Sequence, residues 1–307
     1  MTPAVLLVVY RRPEETARVF DAIAAARPQR LFVAADGPRN GVEAHACAAS
    51  RAAATRVTWP CDVVTDFSER NVGCRTRMMS ALSWFFSQVD EGVVLEDDCV
   101  PSPDFFRFCA AMLDRYRDDE RIVHVSGETY QRARRTPYSY AFSKYPLTWG
   151  WASWRRTWRL FDPDMRTWPS FRASSDAAAL WDTPDEAVYL TQAFQQMHDG
   201  AISTTWDYAW WYACMTQGLS IRPAANLVMN VGGGAGATHT DGDIGFLYRS
   251  FEPLDDPIRH PPWVVRDKAG DMDTFDLRLP GEAMRRQRTL AHHLRRPFRW
   301  LSRSLRG

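Results

Sequence analysis

Three consecutive carboxylates, Glu96-Asp97-Asp98, follow directly on the apolar run Val93-Val94-Leu95. Such oxygens suit hard divalent cations. Mg²⁺ or Mn²⁺ held by one or two carboxylates, with the remaining positions given to water and phosphate oxygens, is the usual arrangement around a nucleotide diphosphate. Placement adds to the chemistry. Three apolar residues without alternation, too short for a helix, read as a strand buried on both faces, the mark of a parallel sheet covered by helices. In open α/β sheets ligands gather outside the carboxyl ends of the strands, which is where this acidic cluster falls. A solvated strand end is the plainer alternative for three adjacent acids.

Asp207 stands in a different setting, within Thr205-Trp206-Asp207-Tyr208-Ala209-Trp210-Trp211, at or near the start of a helix that stops at Gly218. Its bland use would be capping, worth ~1 kcal/mol, yet Thr204 and Thr205 could cap equally well. An acid flanked by large rings is partly desolvated and so more basic, as a general base must be, while the helix dipole pulls the other way. Further on, Gly232-Gly233-Gly234-Ala235-Gly236-Ala237 matches a dinucleotide-binding pattern on paper. The context fails, because Thr238-His239-Thr240-Asp241-Gly242-Asp243 cannot continue as a good helix. A glycine loop closing over bound phosphates, with Thr238 and His239 as its polar tips, fits better.

The elements that must position these groups are legible from periodicity. Ala4 to Val9 reads as a second buried strand, followed by a helix that Pro13 opens and whose stripe is Val19, Phe20 and Ile23. Leu31 to Ala35 repeats the pattern and ends in the turn formers Asp36-Gly37-Pro38-Arg39. After a polar connector, Cys61 to Thr65 is a weaker strand, and Met78, Leu82, Phe85, Phe86 and Val89 mark a helix leading into the Val93 strand. Strands alternating with helices predict a doubly wound, mostly parallel α/β sheet with helices on both faces. Ser102-Pro103-Asp104 starts another helix and Ile122 to Gly127 forms another strand. Tryptophans then crowd a segment with few clear strands. Trp151, Trp154 and Trp158 fall on one helical face and read as core, which leaves one or two rings to line an acceptor groove.

Composition bounds the rest. The 307 residues are 45% hydrophobic and 24% charged, with a formal charge of +1, which suits a globular protein and excludes a nucleic-acid partner that would need a basic stripe. The six cysteines form no Cys-x-x-Cys pair and several lie in apolar runs, so they read as reduced core residues, which favours the cytoplasm. No apolar run has the length of a bilayer-spanning helix. The chain ends in a cluster of arginines from Arg285 to Arg306, interspersed with Leu290, Phe298, Trp300 and Leu305. That pattern suits an anionic membrane surface or a solvated tail.

Taken together, Val94-Leu95-Glu96-Asp97-Asp98-Cys99-Val100-Pro101-Ser102-Pro103-Asp104-Phe105-Phe106 resembles the metal-binding stretch of GT-A-fold glycosyltransferases, close to N-acetylglucosaminyltransferase I and related bacterial family-2-like transferases. Arg12-Pro13-Glu14, Asn71-Val72-Gly73-Cys74, Trp149 to Arg155, Trp206-Asp207-Tyr208 and Asn230-Val231-Gly232 agree in order, over roughly residues 4 to 250. The resemblance implies a metal (Mn²⁺ or Mg²⁺) on Asp98, donor contacts from Asp97, Glu96, Arg12, Asp36, Thr238 and His239, and Asp207 as the base. An Arg at a strand exit can bond phosphate oxygens bidentately, and a carboxylate can accept from a uracil N–H or a ribose hydroxyl. As the plainer alternatives, Arg12 is a surface charge and Asp36 a turn residue. The chain departs from its relatives at Arg75, where bacterial members more often carry glycine.

The sequence therefore predicts one GT-A domain. Residues 1–125 are its nucleotide-sugar half, 126–250 its acceptor-binding and catalytic half, 251–280 a loop-rich extension and 281–307 a basic amphipathic tail. The expected activity is inverting transfer of a sugar from a nucleotide-diphosphate donor, UDP-linked donors included, to a glycan or lipid-linked acceptor in bacterial surface-polysaccharide synthesis. The expected setting is cytoplasmic and peripheral at the inner face of the membrane. A sugar-nucleotide pyrophosphorylase is the nearest enzymatic rival, but the first βα loop lacks the Gly-rich stretch with a Lys that it needs. A non-catalytic carbohydrate-binding protein would leave the acids at the strand exit unexplained.

Overall fold

Residues 1–233 and 249–289 are described by the structure, a computed structural model. Thr238, His239 and the tail beyond Thr289 lie outside the described residues. In chain order the first elements are β1 (Val5–Val9), α1 (Pro13–Ala26), β2 (Arg30–Ala35), α2 (Gly41–Ala54), β3 (Asp62–Phe67), α3 (Cys74–Gln88), β4 (Glu91–Glu96), β5 (Cys99–Pro101), α4 (Pro103–Arg115) and β6 (Ile122–Ser126). There follow β7 (Tyr140–Ser143), β8 (Trp151–Trp154), α5 (Arg155–Trp158), α6 (Trp168–Ala173), α7 (Ser175–Leu180), α8 (Pro184–His198), α9 (Asp207–Gln217), β9 (Leu219–Pro223), β10 (Val228–Asn230) and α10 (Lys268–Leu277).

Eight strands form one sheet in the order β3-β2-β1-β4-β8-β6-β9-β7, and β5 and β10 pair separately. The pairs β1·β2, β2·β3, β1·β4 and β6·β9 are parallel, so the sheet is mostly parallel. β8 and β7 run against their neighbours. Alternation along the strands sorts the core into two. Val5, Leu7, Leu31, Val33, Val93 and Leu95 pack with α1 and α4 on one face, while Leu6, Val8, Phe32, Ala34 and Val94 pack with α3, α8 and α9 on the other. Successive residues of a strand point to opposite faces, so an uninterrupted apolar strand serves both layers. This is the doubly wound, mostly parallel α/β sheet with helices on both faces that the sequence predicts.

Two expectations need correction. Residues 41–54, read as a polar connector, form α2, whose buried stripe of Glu43, Cys47, Ser50 and Ala54 is too small and polar to register as amphipathic. Asn40 caps it by accepting from the Val42 and Glu43 N–H groups at 3.0 and 3.3 Å. Trp151 and Trp154 do not share a helical face. They belong to β8, in mid-sheet, where side chains three apart point to opposite faces, so Trp151 enters one core and Trp154 the other. Within residues 251–280, α10 folds with Asp267 at its N-cap, accepting from Gly270 N–H at 3.0 Å.

All six cysteines are free, and Cys47, Cys99, Cys109 and Cys214 are buried. Among the described residues no helix is long and apolar enough to cross a membrane. Arg285 and Arg288, at the start of the basic segment, pair with Asp276 and Asp185 respectively.

Candidate active site

Parallel pairing of β1 with both β2 and β4 brings three strand exits side by side, with Val9 opposite Ala35 and Val8 opposite Glu96. They open into a cleft of about 330 Å³ whose walls include Tyr10, Arg12, Asp36, Asn71, Glu96 and Asp97. Asp97 is anchored by backbone, its Oδ2 accepting the Tyr10 N–H at 3.0 Å. One nitrogen of Arg12, Nη1, donates to Asp97 Oδ1 at 3.1 Å and to Asp98 Oδ2 at 2.7 Å.

Asp98 is held from behind by the β5–β10 ladder. Its carbonyl accepts the Val231 N–H at 2.8 Å, and its Oδ1 accepts from Asn230 Nδ2 at 3.4 Å. Gly232 follows so closely that a Cβ there would lie 2.1 Å from Asp98 Oδ2. The Asn230-Val231-Gly232 stretch is thus the wall against which the last acid of the triplet rests, and only glycine leaves room for it.

The charge in this pocket is unbalanced. Burial, then the charges of Asp98, Asp97 and Asp207, push the Glu96 carboxyl up to about 8. Burial and Asp98 push Asp97 up to about 7 against the pull of Arg12. Burial works against the Arg12 charge, but the two aspartates prevail and raise its pKa. Crowded oxygens with one guanidinium between them fit a hard divalent cation. Among the described residues no three His, Cys, Asp or Glu side chains close into a metal cage.

Asp36 is committed to the protein. Its Oδ1 accepts the N–H groups of Gly37 and Val72 at 2.8 and 3.0 Å, and its Oδ2 accepts from Asn71 Nδ2 and Gly73 N–H at 2.9 and 3.1 Å. A carboxylate has about four acceptor sites, and here four are filled. Asp36 thereby ties the exit of β2 to the loop that starts α3. Gly37 is needed because a Cβ there would meet the Arg70 backbone at 2.5 Å.

Asp207 opens α9 without capping it in the usual way. Its Oδ1 accepts the Thr205 hydroxyl at 2.5 Å and the Tyr208 N–H at 3.0 Å. Its Oδ2 accepts no hydrogen bond from a described residue. Asp207 raises the pKa of both Glu96 and Cys74, so it stands within electrostatic reach of the acidic cluster and of the cleft. Most of the surrounding rings are core, as expected: Trp151 packs on Trp206 and Trp210 with centroids 5.9 and 5.4 Å apart.

Two site residues were not assigned from sequence. Arg75 crosses the cleft, donating to Pro163 O at 2.8 Å and Ile202 O at 3.4 Å, so it braces the segment that delivers Thr205 and Asp207. Glu43 sits at the outer end, accepting from the Tyr10 hydroxyl and from Arg11 at 2.5 and 2.9 Å. Only the arginine standing where the sequence resemblance leads one to expect glycine signalled the first, and nothing local signalled the second. Thr238 and His239 lie outside the described residues.

No protein-family model and no curated protein matches the sequence. Among solved structures the chain is similar to HddC from Yersinia pseudotuberculosis, at 9% identity and a TM-score of 0.33, over 50% of this chain and 78% of that one. It is similar to 4-diphosphocytidyl-2C-methyl-D-erythritol synthase from Anaerococcus prevotii, at 6% identity and a TM-score of 0.32, over 65% and 84%. A third is mannose-1-phosphate geranyltransferase from Thermus thermophilus, at 11% identity and a TM-score of 0.30, over 72% and 69%.

Proposed function

We propose that the protein is an inverting glycosyltransferase that moves a sugar from a nucleotide-diphosphate donor to a glycan or lipid-linked acceptor. The observation that carries this reading is Asp207. A carboxylate from the second half of the chain stands within electrostatic reach of the strand-exit acids, with one oxygen held and the other open. Thr205 and the Tyr208 amide hold Oδ1, which leaves Oδ2 to take the proton of an attacking acceptor hydroxyl. A base on the face opposite the leaving group, with no second carboxylate needed as nucleophile, gives inversion.

On the donor side, Arg12 binds the diphosphate oxygens and Asp97 a ribose hydroxyl, while Asp36 acts indirectly by shaping the Asn71–Gly73 wall of the nucleotide cleft. Asp98, backed by Gly232, would hold Mg²⁺ or Mn²⁺ with Glu96 beside it. Such a cation, when bound, supplies charge neutralisation to the departing diphosphate. The expected setting, surface-polysaccharide synthesis at the inner face of a bacterial membrane, rests on the sequence resemblance alone.

A panel of nucleotide sugars read by nucleotide release, with and without chelator, tests the proposal. Release that needs acceptor and metal and disappears in Asp98→Ala supports it. Full activity in chelator, or no nucleotide-sugar binding at all, overturns it.

A further inference from the structure

His124, in the middle of β6, is a polar side chain that the proposed reaction does not touch. It is wholly buried, among rings that an apolar residue would suit as well: its imidazole stacks on Trp151, with centroids 5.1 Å apart and planes 19° from parallel. A buried imidazole needs partners for its nitrogens. Nε2 lies 2.9 Å from the Leu147 carbonyl oxygen, and Nδ1 lies 3.3 Å from the Trp210 indole nitrogen. A carbonyl can only accept and an indole N–H can only donate. The tautomer follows: Nε2 carries the hydrogen and gives it to Leu147, and Nδ1 accepts from Trp210. Burial pushes the pKa of the ring down to about 3, although the Leu147 carbonyl favours its charged form, so this neutral arrangement holds near neutral pH.

The two partners lead to different places. Leu147 is itself fixed, since its N–H donates to Ser126 Oγ, at the end of β6, at 3.1 Å. Trp210 lies in the first turn of α9, which begins at Asp207. No side chain caps that helix, so its first turn lies where Trp206 and Trp210 rest. Both rest on Trp151, yet stacked rings can slide. The Trp210–His124 bond is directional, and among the described residues it is the only hydrogen bond made by the ring of either tryptophan. Residues three apart on a helix share a face, so an anchor on Trp210 acts on the same side of α9 as Asp207.

We propose that His124 is a positioning residue for Asp207, acting through the Trp210 indole to hold the first turn of α9 against β6. This rests on the reading of Asp207 as the base. A misplacement of about 1 Å caused by a distant change can cost a reaction about 10²-fold, which is the effect the anchor prevents.

Two substitutions separate its two bonds. In His124→Asn the amide oxygen falls near the Nδ1 position and accepts from Trp210, and the Leu147 bond is lost. In His124→Gln the amide nitrogen reaches the Nε2 position and donates to Leu147, and the Trp210 bond is lost. Each leaves one buried group unsatisfied, so both should lose similar stability. Turnover should not follow stability: kcat per folded molecule falls about 10- to 100-fold in His124→Gln and in Trp210→Phe and stays within about three-fold in His124→Asn, with KM for the donor within about two-fold in all three. The double variant His124→Gln/Trp210→Phe should be no slower than the slower single, because both cut one bond. Equal kcat in His124→Gln and His124→Asn, or a multiplied loss in the double variant, overturns the proposal. If His124→Gln does not fold, parent-like kcat in Trp210→Phe overturns it. A readout free of turnover is the ¹³C resonance of the Asp207 carboxyl, identified by its absence in Asp207→Asn. It should move in His124→Gln and Trp210→Phe and hold in His124→Asn, and a resonance unmoved in all three overturns the proposal. If Asp207→Asn turns over like the parent, the reading of Asp207 as the base fails instead, and the resonance still decides whether His124 places it.

Discussion

The two sides of β4 hold their carboxylates by different means. On the nucleotide side Asp36 and Asp97 are gripped by backbone amides of Gly37, Val72, Gly73 and Tyr10. On the acceptor side Asp207 is gripped through one hydroxyl and one amide, among packed rings, and Glu128 through a phenol and one amide. These amides lie at the exits of β1 and β2 and in the loop before α3, so the first wall is built by backbone alone once those exits and that loop come together. The second wall is placed by side-chain packing across distant segments. The nucleotide wall should therefore answer substitution mainly in stability and binding, and the acceptor wall mainly in turnover.

The sharpest test of that contrast is Asp207→Asn. The Asn Oδ1 can accept the same Thr205 hydroxyl and Tyr208 N–H, so the melting temperature should barely move, while loss of a positioned base lowers kcat by ~10²–10⁴-fold with donor affinity within a few-fold. Parent-like turnover in a well-folded variant would place the base elsewhere. Asp36→Ala should do the reverse. It strands the Gly37, Val72 and Gly73 amides, each worth about 1–3 kcal/mol if left unsatisfied, and some are regained through water. A loss of roughly 2–4 kcal/mol in chemical denaturation is expected, with weaker UDP binding. A variant as stable as the parent would mean that the loop stands without its clasp.

Gly232→Ala probes where the two walls touch. The new methyl must displace the Asp98 carboxylate, and overpacking of this kind costs about 1–3 kcal/mol. Affinity for Mn²⁺ in the presence of UDP should drop about ten-fold, read by calorimetry, with little change for UDP alone. Unchanged Mn²⁺ affinity would remove Asp98 from the metal site. The smallest effect is expected for Arg75→Ala, which cuts the brace to Pro163 and Ile202. Loss of two part-buried hydrogen bonds, about 0.5–1.5 kcal/mol each, should lower kcat several-fold and leave KM for the donor nearly unchanged. A change confined to KM would make Arg75 a donor contact.

The same asymmetry governs what could be seen in the sequence. The nucleotide side was legible because it is written locally: an apolar run, then a polar exit, three times over, with Tyr10-Arg11-Arg12 after Val9, Asp36 after Ala35 and Glu96 after Leu95. Asp207 was legible only through its Trp-Asp setting. What Asp36 binds was not, because its four donors come from the turn beside it and from a loop that periodicity does not place. β8 was misread because Trp151-Ala152-Ser153-Trp154 fits a helical stripe as well as a strand, and only its position between β4 and β6 decides the matter. The bond between His124 and Trp210 left no local trace, since the two meet only after β6 and α9 are in place.

The β4–β8 boundary, where strand direction reverses, has a use in protein engineering. Backbone ladders join the two strands from Glu91 to Val94, and a ladder does not distinguish one side chain from another. The reversal is thus a natural seam for recombination: under the proposed function, segments grafted on its far side would change which molecule is modified, and the near side would keep its choice of activated sugar.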